Sequence, residues 1–129
     1  KHLEELFVYA HVCPALNQLE LSPFCYLPKG LAFCKQNNIQ VQGYAPVVRG
    51  QKKDHPILLD IARKYGKSTY QILIRWDIEQ GAITIPKSIQ KDRMIENAEV
   101  FDFALDGDDL ARMAVLYDNT RVAWDPRDF

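Results

Sequence analysis

A chain of 129 residues with 47% hydrophobic and 26% charged side chains is long enough for one domain with a real core, and its 16 basic and 17 acidic residues nearly cancel to a net charge of −1. That balance gives no basic patch for nucleic acid and no charge excess typical of disorder, and no apolar run approaches a membrane span, so neither nucleic acid nor membrane is expected as a partner. Cys13, Cys25 and Cys34 are odd in number and lack zinc-site spacing, so no metal is expected; they read as reduced thiols of a cytoplasmic protein, with Cys34 facing the core.

Lys1-His2-Leu3-Glu4-Glu5 is a charged, helix-like opening without an initiating methionine or a signal peptide, and is expected to lie inside a longer protein. Leu3, Leu6, Phe7 and Ala10 share one stripe and predict a helix end, broken by Pro14. Ala15–Leu19 predicts a short strand, with the unusually polar Asn17, Gln18 and Glu20 towards its end, and Ser22-Pro23-Phe24 a turn. Pro28 opens a helix, because its missing N–H costs little in the first turn; Leu27, Leu31 and Cys34 form its stripe and Asn37-Asn38 its stop. Ile39–Tyr44 alternates as a second strand, and 45–54 leaves its carboxyl end as a loop. Asp54 or His55 caps a helix with Pro56 in its first turn, Leu58, Ile61, Ala62 and Tyr65 on its buried face, and Gly66 at its end. Ser68 and Gln71 make a capping box for the next helix, which buries Thr69, Ile72, Leu73 and Trp76. Its Arg75 and Glu79, four apart, can pair before Gly81 ends it.

The β-branched run Ile83-Thr84-Ile85 predicts a buried third strand, ended by Pro86, which cannot donate to a ladder. Lys87 and Ser88 then stand at its carboxyl end, and a short helix follows with Arg93, Glu96 and Asn97. Ligands of parallel α/β folds bind at such ends, and a helix N-terminus offers N–H groups to an anion. A point charge, a hydroxyl and a planar guanidinium suit a phosphorylated ligand, above all a nucleotide. The same residues also fit a solvated loop lysine and an Arg93–Glu96 pair on one helix face, and residue types alone leave both readings open. After Val100-Phe101-Asp102-Phe103, Asp106 caps a last helix, with Leu105 stapled on Leu110 and with Leu110, Met113, Ala114 and Tyr117 buried. Residues 119–129, with Trp124 and Pro126, read as an irregular tail.

Strands separated by helices, with no tight-hairpin signal, predict an α/β fold of parallel βα units. A closed eight-stranded barrel needs about 250 residues. Three strands alone leave two open edges, so the chain is expected to be the second part of a barrel or to need a partner over those edges.

Several motifs, in order, resemble the C-terminal half of the aldo-keto reductases. Asn17-Gln18-Leu19-Glu20-Leu21-Ser22-Pro23 is similar to that family's sixth-strand motif and Gly43-Tyr44-Ala45-Pro46 to its seventh. Residues Gln71 to Trp76, and Ile85-Pro86-Lys87-Ser88 through Arg93, Glu96 and Asn97, resemble its dinucleotide signature; Phe101-Asp102-Phe103-Ala104-Leu105 resembles the segment that follows.

The resemblance implies that residues 1–129 are a single-domain fragment, the C-terminal part of a (β/α)8 TIM barrel that binds NADPH/NADP+ and reduces aldehydes or ketones. It implies that Tyr44 stacks on the nicotinamide and Gln18 bonds its carboxamide. Lys87, Ser88 and Arg93 would hold the 2′-phosphate, Glu96 and Asn97 would contact the adenine, and the loop with Ala45 and Val47 would lie over the pyrophosphate. Trp124 would border a small-molecule carbonyl substrate. Ala45 replaces the family's usual serine, Ser22 a frequent histidine, and Val47-Val48 a common Leu-Gly. The family's catalytic Asp, Tyr, Lys and His belong to the N-terminal half of the barrel, the expected partner, and their motifs are not in this sequence; none of His2, His11 and His55 stands in a catalytic motif. The isolated chain is therefore expected to be inactive. Two rival readings are a catalytically dead NADP(H)-binding module and a self-associating half-barrel.

Overall fold

A computed structural model describes residues 2–125, so Pro126 of the expected tail lies outside the described residues. The chain runs α1 (His2–Phe7), β1 (Leu16–Glu20), α2 (Pro28–Gln36), β2 (Gln40–Tyr44), a 3-10 turn (Val48–Gly50), α3 (Pro56–Tyr65), α4 (Thr69–Glu79), β3 (Ile83–Ile85), α5 (Lys91–Ala98) and α6 (Gly107–Ala114). The three strands form one parallel sheet in the order β1-β2-β3. Register aligns Glu20 with Tyr44 and Tyr44 with Ile85, so three carboxyl ends finish side by side. No helix among the described residues is long and apolar enough to cross a membrane.

Local signals set most boundaries. Pro28 and Pro56 occupy the first turns of α2 and α3, where no N–H is required. Gly66 closes α3 in the left-handed conformation (φ 63°), with its N–H returned to Ala62 and Arg63 carbonyls. Ser68 and Gln71 complete a reciprocal capping box on α4, and Asp106 accepts the Asp109 N–H at the start of α6. Arg75 and Glu79 pair at 2.8 Å.

The core lies on one face of the sheet. Val41 and Gly43 of β2 point into it beside Leu21, Cys34, Ile61, Ile72, Leu73 and Met113, all buried. Trp76 is 2% exposed and meets Tyr26 edge-on at 5.2 Å. Alternation puts Leu16, Gln18, Gln40, Gln42, Tyr44, Ile83 and Ile85 on the opposite face, which no element of the described chain covers.

This corrects the buried reading of β3. Ile83 and Ile85 are 46% and 38% exposed, because β3 is an edge strand and both residues sit on the uncovered face. Three smaller corrections share a cause, periodicity read past a helix end. Helix α1 stops at Phe7, leaving Val8 and Tyr9 exposed beyond it and Ala10 outside. Leu27 is the N-cap of α2 rather than part of its stripe. Helix α6 stops at Ala114, so Ala114 and Tyr117 are exposed and Leu116 is buried instead.

Candidate functional site

The loop that leaves β2 is unusual. Ala45, Val48 and Arg49 have φ of 55°, 47° and 50°, and Gly50 follows at 78°. A β-branched residue in this region is an outlier, at a cost of roughly 1–2 kcal/mol. Val48 offsets it by complete burial of its side chain (1% exposed), a gain of about 1.5 kcal/mol or more. Hydrogen bonds from Val48 N to Ala45 O (3.0 Å) and Gly50 N to Val47 O (2.7 Å) tighten the bend. Glycine suits position 50: its φ of 78° disfavours a side chain, and a Cβ would lie 3.2 Å from Tyr70 Oη, so the tyrosine would have to shift.

Across the cleft, Pro86 ends β3 and the chain turns through Lys87–Gln90 into α5. Ser88 Oγ accepts the Gln90 N–H at 3.1 Å. Gln90 is the N-cap of α5 but makes no side-chain cap bond, so the first-turn N–H groups are unclaimed by a cap. Between the two loops lies a cleft of about 540 Å³. Tyr44, Ala45, Val47, Lys87, Ser88, Arg93, Glu96 and Asn97 all line it, so eight residues singled out in the sequence come together.

The charge balance of the cleft is lopsided. Lys87, Arg93 and Arg49 line it, and among the described residues none of these cations makes an ion pair. An Arg93–Glu96 pair does not form, because the Glu96 carboxylate accepts the Ser68 hydroxyl proton instead. Three cations without an ion pair among the described residues, the Ser88 hydroxyl and Gln90, the N-cap of α5, thus line one cleft.

Tyr44 stands half-buried at one end. Its phenol pKa is raised, first by burial and then by the Glu20 carboxylate, with Arg121 opposing, so the ring is neutral at physiological pH. Glu20 is itself buried and accepts the N–H groups of Val122 (2.7 Å) and Ala123 (3.3 Å), which brings the 121–125 segment beside Tyr44. Trp124 on that segment is 66% exposed and does not line the cleft. Gln18 does not line it either: on the uncovered sheet face its amide donates to Gln42 Oε1 at 2.7 Å.

Sequence reasoning passed over Arg49, Tyr70, Ile89 and Gln90, which also line the cleft. Arg49 arrives through the left-handed bend of the 45–50 loop, and Tyr70 comes from the first turn of α4, with its hydroxyl beside Gly50. Gly50 was the sole local sign of that bend, because Ala45 and Val48 are not residues that announce positive φ.

The family model described as aldo/keto reductase family matches residues 1–118. Among curated proteins, the chain is 44% identical over 128 residues to an uncharacterized oxidoreductase of Bacillus subtilis, YtbE, covering 99% of this chain and 46% of that protein. It is 40% identical over 125 residues to a glyoxal reductase of the same organism, covering 97% and 45%. The chain thus spans about half the length of the curated relatives it matches. Among solved structures, an aldo-keto reductase of Bombyx mori in complex with NADP superposes with a TM-score of 0.86 at 35% identity, over 98% of this chain and 44% of that one. A variant of the protein Gox0644 in complex with NADPH gives 0.90 at 32% identity, over 98% and 47%. The parallel βα arrangement described above corresponds to part of the TIM barrel of these structures.

Proposed function

The chain belongs to the aldo/keto reductase family, and from that premise we propose that it supplies the NADPH-binding half of a reductase of aldehydes or ketones. The observation that carries this reading is the convergence of Lys87, Ser88, Arg93 and Arg49 on one cleft, the three cations making no ion pair among the described residues. NADPH differs from NADH by a phosphate of nearly two charges, and two cations and a hydroxyl at one end of a cleft reward that difference.

The residues fit the cofactor as follows. Lys87, Ser88 and Arg93 hold the 2′-phosphate, aided by the uncapped N-terminus of α5. Ala45 and Val47 carry the β2 loop over the pyrophosphate, with Arg49 as a further counter-charge. Tyr44 offers its ring face to the nicotinamide. Gln18 meets the carboxamide by exchanging its bond to Gln42. Asn97 and Glu96 border the adenine. When bound, NADPH supplies the hydride. Trp124 borders the carbonyl substrate on the Tyr44 side.

Residues 1–129 then form a single-domain fragment of a cytoplasmic protein, the C-terminal half of the barrel. The N-terminal half contributes the acid–base residues and covers the open sheet face and edges, and without it the chain binds but does not turn over. A second reading, a self-associating half-barrel, has its own observation: Leu16, Ile83 and Ile85 stand exposed on a parallel sheet with two open edges. Fluorescence titration of the chain with NADPH and NADH tests the first reading. Saturable binding with NADPH preferred supports it; no binding at millimolar NADPH refutes it for this chain. Sedimentation showing a folded monomer removes the second.

A further inference from the structure

Helix α5 carries Arg93, Glu96 and Asn97, yet it buries no side chain of its own. Apolar packing therefore does not fix where these groups stand. Polar contacts from the start of α4 do. Gln71 is 5% exposed, and its Nε2 donates to two carbonyls at the end of α5, Glu96 O and Glu99 O, each at 3.0 Å. Its Oε1 accepts the Ser68 N–H at 3.0 Å. Ser68 Oγ accepts the Gln71 N–H at 3.2 Å and donates to the Glu96 carboxylate. Lys67 Nζ adds a third donor to Glu99 O at 3.2 Å.

We infer that Gln71 is a positioning residue for the anion site: its Oε1 caps α4, while its Nε2 separately clamps the end of α5 and so sets the reach of Arg93. The two ends of one amide do two jobs. A helix leaves its last carbonyls short of partners, and here a neighbouring helix's cap residue bonds two at the end of α5: Glu96 O, which also accepts the Glu99 N–H, and Glu99 O. The inference rests on the cofactor reading above for the identity of the anion, but the clamp itself does not.

Gln71→Glu separates the two jobs. Glutamate is a standard partner in a capping box, so the acceptor for Ser68 N–H survives, while both donors to α5 are lost. Amide hydrogen exchange of the 129-residue chain should show α4 and β2 as protected as before and α5 opening roughly ten- to a hundredfold faster, the worth of the two hydrogen bonds lost. In parallel, the ratio of NADH to NADPH dissociation constants should shrink severalfold. Lys67→Met, which removes the third donor from the surface, gives the same pattern more weakly and serves if Gln71→Glu does not fold. Unchanged α5 exchange in both variants overturns the clamp. Faster α5 exchange with an unaltered NADPH preference overturns the positioning role. If the parent chain binds neither dinucleotide, the cofactor reading falls, and the α5 exchange pattern still decides for or against the clamp.

Discussion

Asp77 of α4 is 0% exposed, and neither carboxyl oxygen has a hydrogen-bond partner of normal geometry. Its pKa is raised well above the usual carboxylate value by burial, with the nearby Thr84 hydroxyl pulling weakly the other way and no charged group contributing. The linkage has a definite sign. The unfolded chain loses this proton near pH 4, while the folded chain keeps it to higher pH. Over that window the native state binds one more proton, so stability falls by about 1.4 kcal/mol per pH unit as pH rises, and levels off above the folded pKa. Asp77→Asn keeps the shape of the neutral acid and removes the ionisation. Urea denaturation from pH 4.5 to 8 should show the stability difference between the Asp77→Asn variant and the parent chain growing with pH in favour of the variant. The slope is the test, because the second N–H of the amide adds an offset of its own. Parallel pH profiles for the two proteins would refute the assignment of Asp77 as a neutral buried acid.

Arg93→Ala should weaken NADPH binding ten- to a hundredfold, the worth of a charged hydrogen bond of about 1.5–3 kcal/mol, and leave NADH almost unchanged; equal losses for both would remove Arg93 from the 2′-phosphate. Gly43→Ala would place a methyl 2.9 Å from Leu21 Cβ and 3.0 Å from Asp77 Oδ2, which should cost about 1–3 kcal/mol in chemical denaturation. Burial would raise the pKa of Asp118, but its bonds to Lys52 and Thr120 win and hold it at about 2. Its contribution is therefore complete above pH 4 and fades as pH falls towards 2. Both partners are partly exposed, so Lys52→Met should remove no more than about 1 kcal/mol of that acid sensitivity, read from urea midpoints at pH 2.5 and 5.

Features set by neighbours in sequence were legible. The Ser68–Gln71 box, the left-handed Gly66 and the Arg75–Glu79 pair each involve residues within a turn or so, and each is present. The cleft was legible in part for the same reason, since Lys87, Ser88 and Arg93 follow one strand closely. What escaped depends on distant segments. Tyr70 meets Gly50 across the cleft, and the Glu96 carboxylate is claimed by Ser68, 28 residues away, rather than by Arg93 on the same helix face. The apolar run Ile83-Thr84-Ile85 indicated a strand correctly, but burial is a property of the sheet around it, and this sheet has an uncovered face.

The bond from Glu20 to the backbone of residues 122 and 123 spans more than a hundred positions. Closing a loop of that size is slow and entropically unfavourable compared with the helix caps elsewhere. During synthesis on a ribosome, Glu20 emerges long before the amides that satisfy it. Until they follow, a carboxylate beside Tyr44 must stay in water, and the carboxyl end of β1 cannot shut around it. The order of translation thus makes the Tyr44 end of the cleft among the last parts of this chain to be finished, and a nascent chain halted before Val122 would carry its sheet with that corner open.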